Sequence, residues 1–207
     1  MLLYVETNFI LELAYVQETS SSCEQILRWA ETGELELVVP LFSAIEARMS
    51  WQSSVKRRNR LLSDVRSELR QLSRSRPLQD VTEESKAFVG SLIDSAQADR
   101  ERLEETVSNL LKYATVIPVT PDIVTGALSY ETELGLSAQD ATVYASVLRH
   151  LTTMGENEVD RLFITTNAND FAVPNIEDEL ARHNCKLLTR FDSAEGYVRS
   201  RLGPATR

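Results

Sequence analysis

LLYVETNFILELAY, residues 2–15, decides how the rest of the chain is read. Leu2 to Val5 is an apolar run too short for a helix and reads as a buried strand. Glu6 closes that strand, followed by Thr7 and Asn8, and a helical pattern runs on through Leu11, Ala14 and Tyr15. A glutamate at the end of a buried strand is not an ordinary surface turn. Burying a carboxylate costs free energy unless it is paired or bound to a cation.

Working outward, the same alternation recurs. Ser20 to Ser22 offer caps for a second helix that Gly33 ends, and Leu35 to Val39 read as a second strand. Pro40 suits a helix start, and that helix carries Ile45, Glu46 and Met49. From Leu41 to Arg76 there is no Gly or Pro, and Val55, Leu62, Val65, Leu69 and Leu72 form a helical stripe. A second long helical pattern runs from about Thr82, with Thr82 and Ser85 as candidate caps, to Tyr113. The two predict an antiparallel hairpin over residues 55–112. Strands are expected at Thr115 to Val119, Leu162 to Thr165 and Lys186 to Leu188, with helices from Pro121, Ala138, Pro174 and Ser193. Strands alternating with helices imply an α/β fold with a central parallel sheet covered on both faces. The expectation is a single domain over 1–207, three layers α/β/α, with the long hairpin inserted.

In such a sheet, ligands bind beyond the carboxyl ends of the strands. Glu6 lies at one such end. Thr166, Asn167, Asn169 and Asp170 follow another, in FITTNANDF, residues 163–171. Two further acids sit in apolar helical stretches: Glu46 in LFSAIEARM and Asp140 in LGLSAQDATVYASVL. Singly, Glu46 reads equally as a solvated helix face, and Asp140 as a first-turn residue favoured by the helix dipole after Ser137. Together, carboxylates gathered at a sheet end are the ligand set that hard divalent cations prefer. Such cations activate water and polarise phosphoryl oxygens. His150 and His183 are the only histidines and have no zinc spacing, and no Gly-rich phosphate loop or nucleophile elbow occurs.

These motifs resemble the PIN-domain family, especially toxin ribonucleases of toxin–antitoxin pairs. The resemblance rests on YVETNFILEL with Glu6-Thr7-Asn8, SAIEA with Glu46, LSAQDA with Asp140, and FITTNANDF, in the family's order. It implies a PIN-like fold and a ribonuclease that uses Mg²⁺ or Mn²⁺. Glu6, Glu46, Asp140 and Asp170 would be the catalytic metal ligands, with Thr7, Asn8, Thr166 and Asn167 in support, and the products would carry 5′-phosphate and 3′-hydroxyl ends. An RNA substrate, a protein antitoxin and a second copy of the chain are the implied partners. The chain departs from the family pattern at Glu6, where aspartate is usual, at the fourth position, shared between Asn167 and Asp170, and in the length of the hairpin. These departures motivate a competing expectation: a catalytically weak or inactive interaction module.

The chain of 207 residues carries a net charge of −9, which argues against a general nucleic-acid coat. Lys56 to Arg76 inverts that charge, with eight basic residues against Asp64 and Glu68. Arg66, Arg70 and Arg74 share one helical face and are candidate RNA contacts beside the acidic site. The competing reading pairs them with Asp99, Glu101, Glu104 and Glu105 of the second hairpin helix. Two lone cysteines, Cys23 and Cys185, suggest a reducing cytoplasm. The opening segment, interrupted by Glu6, Asn8 and Glu12 and without a basic start, is not expected to be a leader, and no membrane span is expected.

Overall fold

The computed structural model describes residues 1–155 and 159–203, apart from the side chains at 79, 81 and 83. Five strands form one parallel sheet: β1 (Leu2–Tyr4), β2 (Glu36–Pro40), β3 (Thr115–Ile117), β4 (Arg161–Ile164) and β5 (Cys185–Leu188). Their order across the sheet is β3-β2-β1-β4-β5. The chain winds outward from β1 to β3, then returns to lay β4 on the other side of β1. The winding direction therefore reverses between β1 and β4, and a crevice opens at their carboxyl ends.

Period-two alternation sends each strand into two cores. Leu2, Tyr4, Val38, Phe163 and Cys185 face α5 (Pro121–Leu134), α6 (Ala138–Met154), α7 (Ala168–Phe171) and α8 (Pro174–Arg182). Leu3, Val5, Leu37, Val39, Leu162 and Ile164 face α1 (Thr7–Tyr15), α2 (Ser20–Glu31), the root of α3 (Leu41–Leu72), the distal end of α4 (Gln79–Tyr113) and α9 (Phe191–Leu202). The expected α/β architecture, with helices on both faces of a parallel sheet, is present. Among the described residues no helix is long and apolar enough to cross a membrane.

Helix ends follow local chemistry. Pro121 opens α5, and Gly135 stops it in the left-handed region at φ 68°, where a side chain would be strained. Ser137 caps α6 by accepting from the Asp140 amide. Two expected caps are corrected. Thr19, not Ser20 to Ser22, flanks α2, and its hydroxyl donates to Glu12 (2.6 Å) instead of capping. Thr82 lies inside α4, buried, because that helix already begins at Gln79.

The hairpin also starts earlier than residue 55. With nothing to break it, α3 runs unbroken for 32 residues from Leu41, and α4 for 35. Leu103 and Leu110 of α4 and Ala47 of α3 belong to the second core. The root of the hairpin is thus part of the domain, and only its outer turns form an arm.

Candidate metal centre at the strand reversal

Glu6 stands directly beyond β1 as the residue before α1, so the turn of chain direction holds its carboxylate over the crevice. Its Oε2 accepts from the Asn8 amide at 2.8 Å, a capping bond at the positive end of α1. Oε1 is buried and has no hydrogen-bond partner. The residue is only 6 % exposed. Burial pushes its carboxyl up to about 8; Asn8 and Thr165 oppose the shift, while Glu46 and Asp140 reinforce it.

Glu46 reaches the same region from the second turn of α3. Thr7 donates its hydroxyl to Glu46 Oε2 in a short hydrogen bond. Burial raises the Glu46 carboxyl, the Thr7 bond opposes that, and the charge of Asp140 adds to it. Asp140 sits in the first turn of α6. Ser137 Oγ donates to its Oδ2 at 2.5 Å, and Asn167 Nδ2 donates to its Oδ1 at 3.1 Å. Asn167 is brought there by the turn after β4, where its amide donates to Thr165 Oγ1 at 3.0 Å.

Glu6, Glu46, Asp140 and Asn167 therefore come together from four elements, with Thr7 bonded to Glu46. Asn8 contributes its backbone amide. Thr166 is exposed and lines a neighbouring cleft with Glu12, Thr19 and Arg190. Asp170 lies half-buried on α7, and among the described residues no hydrogen bond or ion pair joins it to the other acids. Asn167 reaches the crevice through its bond to Asp140. Ser137 does more than cap α6. Its bond to Oδ2 shows that the same hydroxyl also orients the carboxylate, and the three-residue spacing to Asp140 was the available signal.

The residues fit a hard divalent cation in donor type. Every polar ligand is oxygen, and Glu6 Oε1 is a buried acceptor left without a donor, which a cation would satisfy. Among the described residues, no three His, Cys, Asp or Glu side chains are arranged to grip one ion directly. Asp140 and Glu46 are turned toward Ser137, Asn167 and Thr7. That is compatible with Mg²⁺, which keeps several waters and needs only one or two direct carboxylates.

The arginines lie elsewhere. Arg66 is twenty residues beyond Glu46 on one continuous helix, about 30 Å along its axis, Arg70 about 36 Å, and Arg74 lies just past the helix end at Leu72. They are exposed and not beside the acidic group as expected. Their pairing with the acids of α4 is not observed either. Asp99 is held by Arg58 and Arg102, and Glu104 by Arg100. Among the described residues, Arg66, Arg70 and Arg74 make no ion pair. Arg66 and Arg70 instead line a groove with Ser73, Lys86 and Gly90.

No family model matches the chain. No curated protein matches it.

Proposed function

We propose that the chain is a divalent-metal-dependent ribonuclease of the PIN type, hydrolysing RNA phosphodiester bonds, with Glu6, Glu46 and Asp140 as the residues that hold Mg²⁺ or Mn²⁺. The observation that carries this reading is the buried, unpartnered Oε1 of Glu6, flanked by two further carboxylates at the strand reversal. A buried acid with an idle acceptor and like-charged neighbours is costly, and a cation removes that cost. When bound there, the ion would polarise a phosphoryl oxygen and make an attacking water more acidic.

The protein's own groups do the positioning. Asn8 and the start of α1 fix Glu6, Thr7 fixes Glu46, and Ser137 with Asn167 fixes Asp140. Before a cation arrives, the charges of Glu46 and Asp140 repel a phosphodiester, so RNA binding at this point depends on the metal. Hydrolysis would break the P–O3′ bond and place the water oxygen on phosphorus, leaving 5′-phosphate and 3′-hydroxyl ends. A toxin held in check by a protein antitoxin in the cytoplasm is the biological setting this reading favours.

Calorimetric titration of the purified protein with Mg²⁺ and Mn²⁺, alongside cleavage of end-labelled single-stranded RNA with and without chelator, tests the proposal. Saturable binding and chelator-sensitive cleavage are expected; absence of both overturns it. A second reading, an interaction module without catalysis, is favoured by the apolar residues exposed on the hairpin arm. Metal binding without cleavage would select it.

The arginine face supplies a further expectation. Replacing Arg66, Arg70 and Arg74 together by Gln should raise KM for long RNA and flatten its salt dependence, since phosphate contacts release counterions. kcat at saturation should stay unchanged, because uniform binding leaves the chemical barrier alone. RNAs too short to span from Glu46 to Arg66 should be insensitive to the substitution. Tm should also hold, as the three make no ion pair among the described residues. Unchanged affinity for long RNA at every salt concentration would remove these residues from the RNA path.

A further inference from the structure

The outer part of the hairpin has two unlike faces. One carries Arg66 and Arg70. On the other, Arg57, Leu61, Val65, Glu68 and Leu72 recur along α3 at spacings of four, four, three and four, which makes one stripe. On α4 the matching stripe is Glu84, Phe88, Leu92 and Ser95, continuing inward to Asp99 and Arg102. Arg58 ties the two stripes together, donating to Ser95 Oγ at 3.0 Å and pairing with Asp99.

At the root, this face is covered. α1 packs against both α3 and α4, and Arg102 Nε donates to the Ala14 carbonyl at 2.8 Å. Beyond the end of α1 the cover stops while the apolar stripe continues. Leu61 is 59 % exposed and Phe88 65 % exposed, with Val65 and Leu72 more than a third exposed. Val16, 57 % exposed, ends α1 at this step, next to Tyr15, whose phenol feels Ser54, Asp99, Arg58 and Arg57. Two helices lying side by side have no third layer to bury such a stripe.

The charge pattern along the stripe says what covers it. Arg57 lies on the root side of Leu61 and Val65, and Glu68 on the tip side. A twofold axis passing α3 between residues 62 and 63 places Arg57 of each chain against Glu68 of the partner subunit. The same operation lays Leu61 beside Val65 of the partner subunit, and brings each tip, with Leu72, to the other's exposed Val16. A stripe that runs basic, apolar, acidic is complementary to its own reversed copy, as an isologous interface requires.

We propose that two copies of the chain pair through this face, arm against arm and antiparallel, forming a four-helix layer. The opposite face, with Arg66, Arg70 and Lys86, stays open in that dimer. This inference is independent of the nuclease reading.

Sedimentation of the full-length protein over a wide concentration range tests it. A reversible dimer is expected. Leu61→Asp with Phe88→Asp should yield a monomer with unchanged helical content, since both side chains are already exposed in the single chain. Arg57→Glu and Glu68→Arg should each weaken association at least tenfold, and the two combined should restore it, a recovery that generic loss of apolar area would not give. Leu61→Cys, close to the axis, should form an inter-chain disulfide on oxidation, because Cys23 and Cys185 are both buried. A wild-type monomer at all concentrations overturns the proposal, whatever other protein binds the face. So does a dimer that survives Leu61→Asp with Phe88→Asp, and so does failure of the charge exchange to restore pairing.

Discussion

Asp140→Asn is expected to lower kcat on single-stranded RNA by about 10²–10³-fold, ~3–4 kcal/mol of transition-state stabilisation, with the fold intact. The side chain keeps its shape. Its carbonyl oxygen can still accept from Asn167 Nδ2, and its amide can face Ser137 Oγ, which accepts as readily as it donates. What disappears is the negative charge, and with it part of the attraction for a divalent cation. The bland alternative makes Asp140 a first-turn residue that merely complements the α6 dipole. In that case the variant would lose ~0.3–1 kcal/mol of stability and cleave at the wild-type rate. The two accounts also differ in the metal-free protein. Removing the Asp140 charge, which repels Glu46 and disfavours ionisation of Glu6, should hold or raise Tm, whereas losing a dipole partner should lower it. Kinetics and melting on one preparation decide between them.

Much of the α/β frame was legible because it depends on short-range pattern. Apolar runs of three to five residues bounded by Gly, Pro and capping residues can only be strands at this length, and the five expected strands all occur, within a residue or two at most ends. Glu6 was legible for the same reason, as a charge closing a buried run. What the pattern does not encode is register between distant elements. Arg66 and Arg70 do share one face of α3, while Arg74 falls past the end of that helix, and what they meet depends on how α4 lies against them. The antiparallel register puts Arg58 opposite Asp99, so Asp99 to Glu105 stand near the root and Arg66 and Arg70 meet Lys86 and Gly90. Nor does spacing say that α3 carries Glu46 and Arg66 on one unbroken rod. That follows only from the missing breaker near residue 55.

The fourth site position shows the same limit at close range. Asn167 and Asp170 stand three residues apart after β4, and charge alone favours Asp170. The turn decides otherwise. Thr165 Oγ1 holds the Asn167 amide, and that tight step aims the Asn167 side chain at Asp140, while Asp170 sits on α7. An amide at this point donates to a carboxylate, where a fourth acid would repel it. With Glu6 pushed up by burial, and further by Glu46 and Asp140, an asparagine here adds no further like charge to the metal-free site.

Glu6 should make the stability of the metal-free protein fall as pH rises. Its carboxyl lies near 4.5 when exposed and about 8 in the fold, so between those values the native state holds a proton that the unfolded chain has released. The contribution is fully present below pH ~4.5 and is lost as pH climbs through ~8, at up to about 1.4 kcal/mol per pH unit. Thermal melts in chelator should therefore show Tm dropping from pH 5 to pH 8. Glu6→Gln should abolish that slope and melt higher than wild type at pH 8, because the amide is neutral and can still accept from Asn8 through its carbonyl oxygen. Saturating Mg²⁺ or Mn²⁺ should flatten the wild-type slope and leave the variant unmoved, since the ion displaces the Glu6 proton and then supplies the charge that burial denies. Metal affinity should correspondingly strengthen as pH rises towards ~8. A Glu6→Gln protein that still gains several degrees from the metal would place the cation away from Glu6. A wild-type Tm independent of pH in chelator would mean the carboxyl is solvated, and the buried acceptor on which the metal centre rests would lose its force.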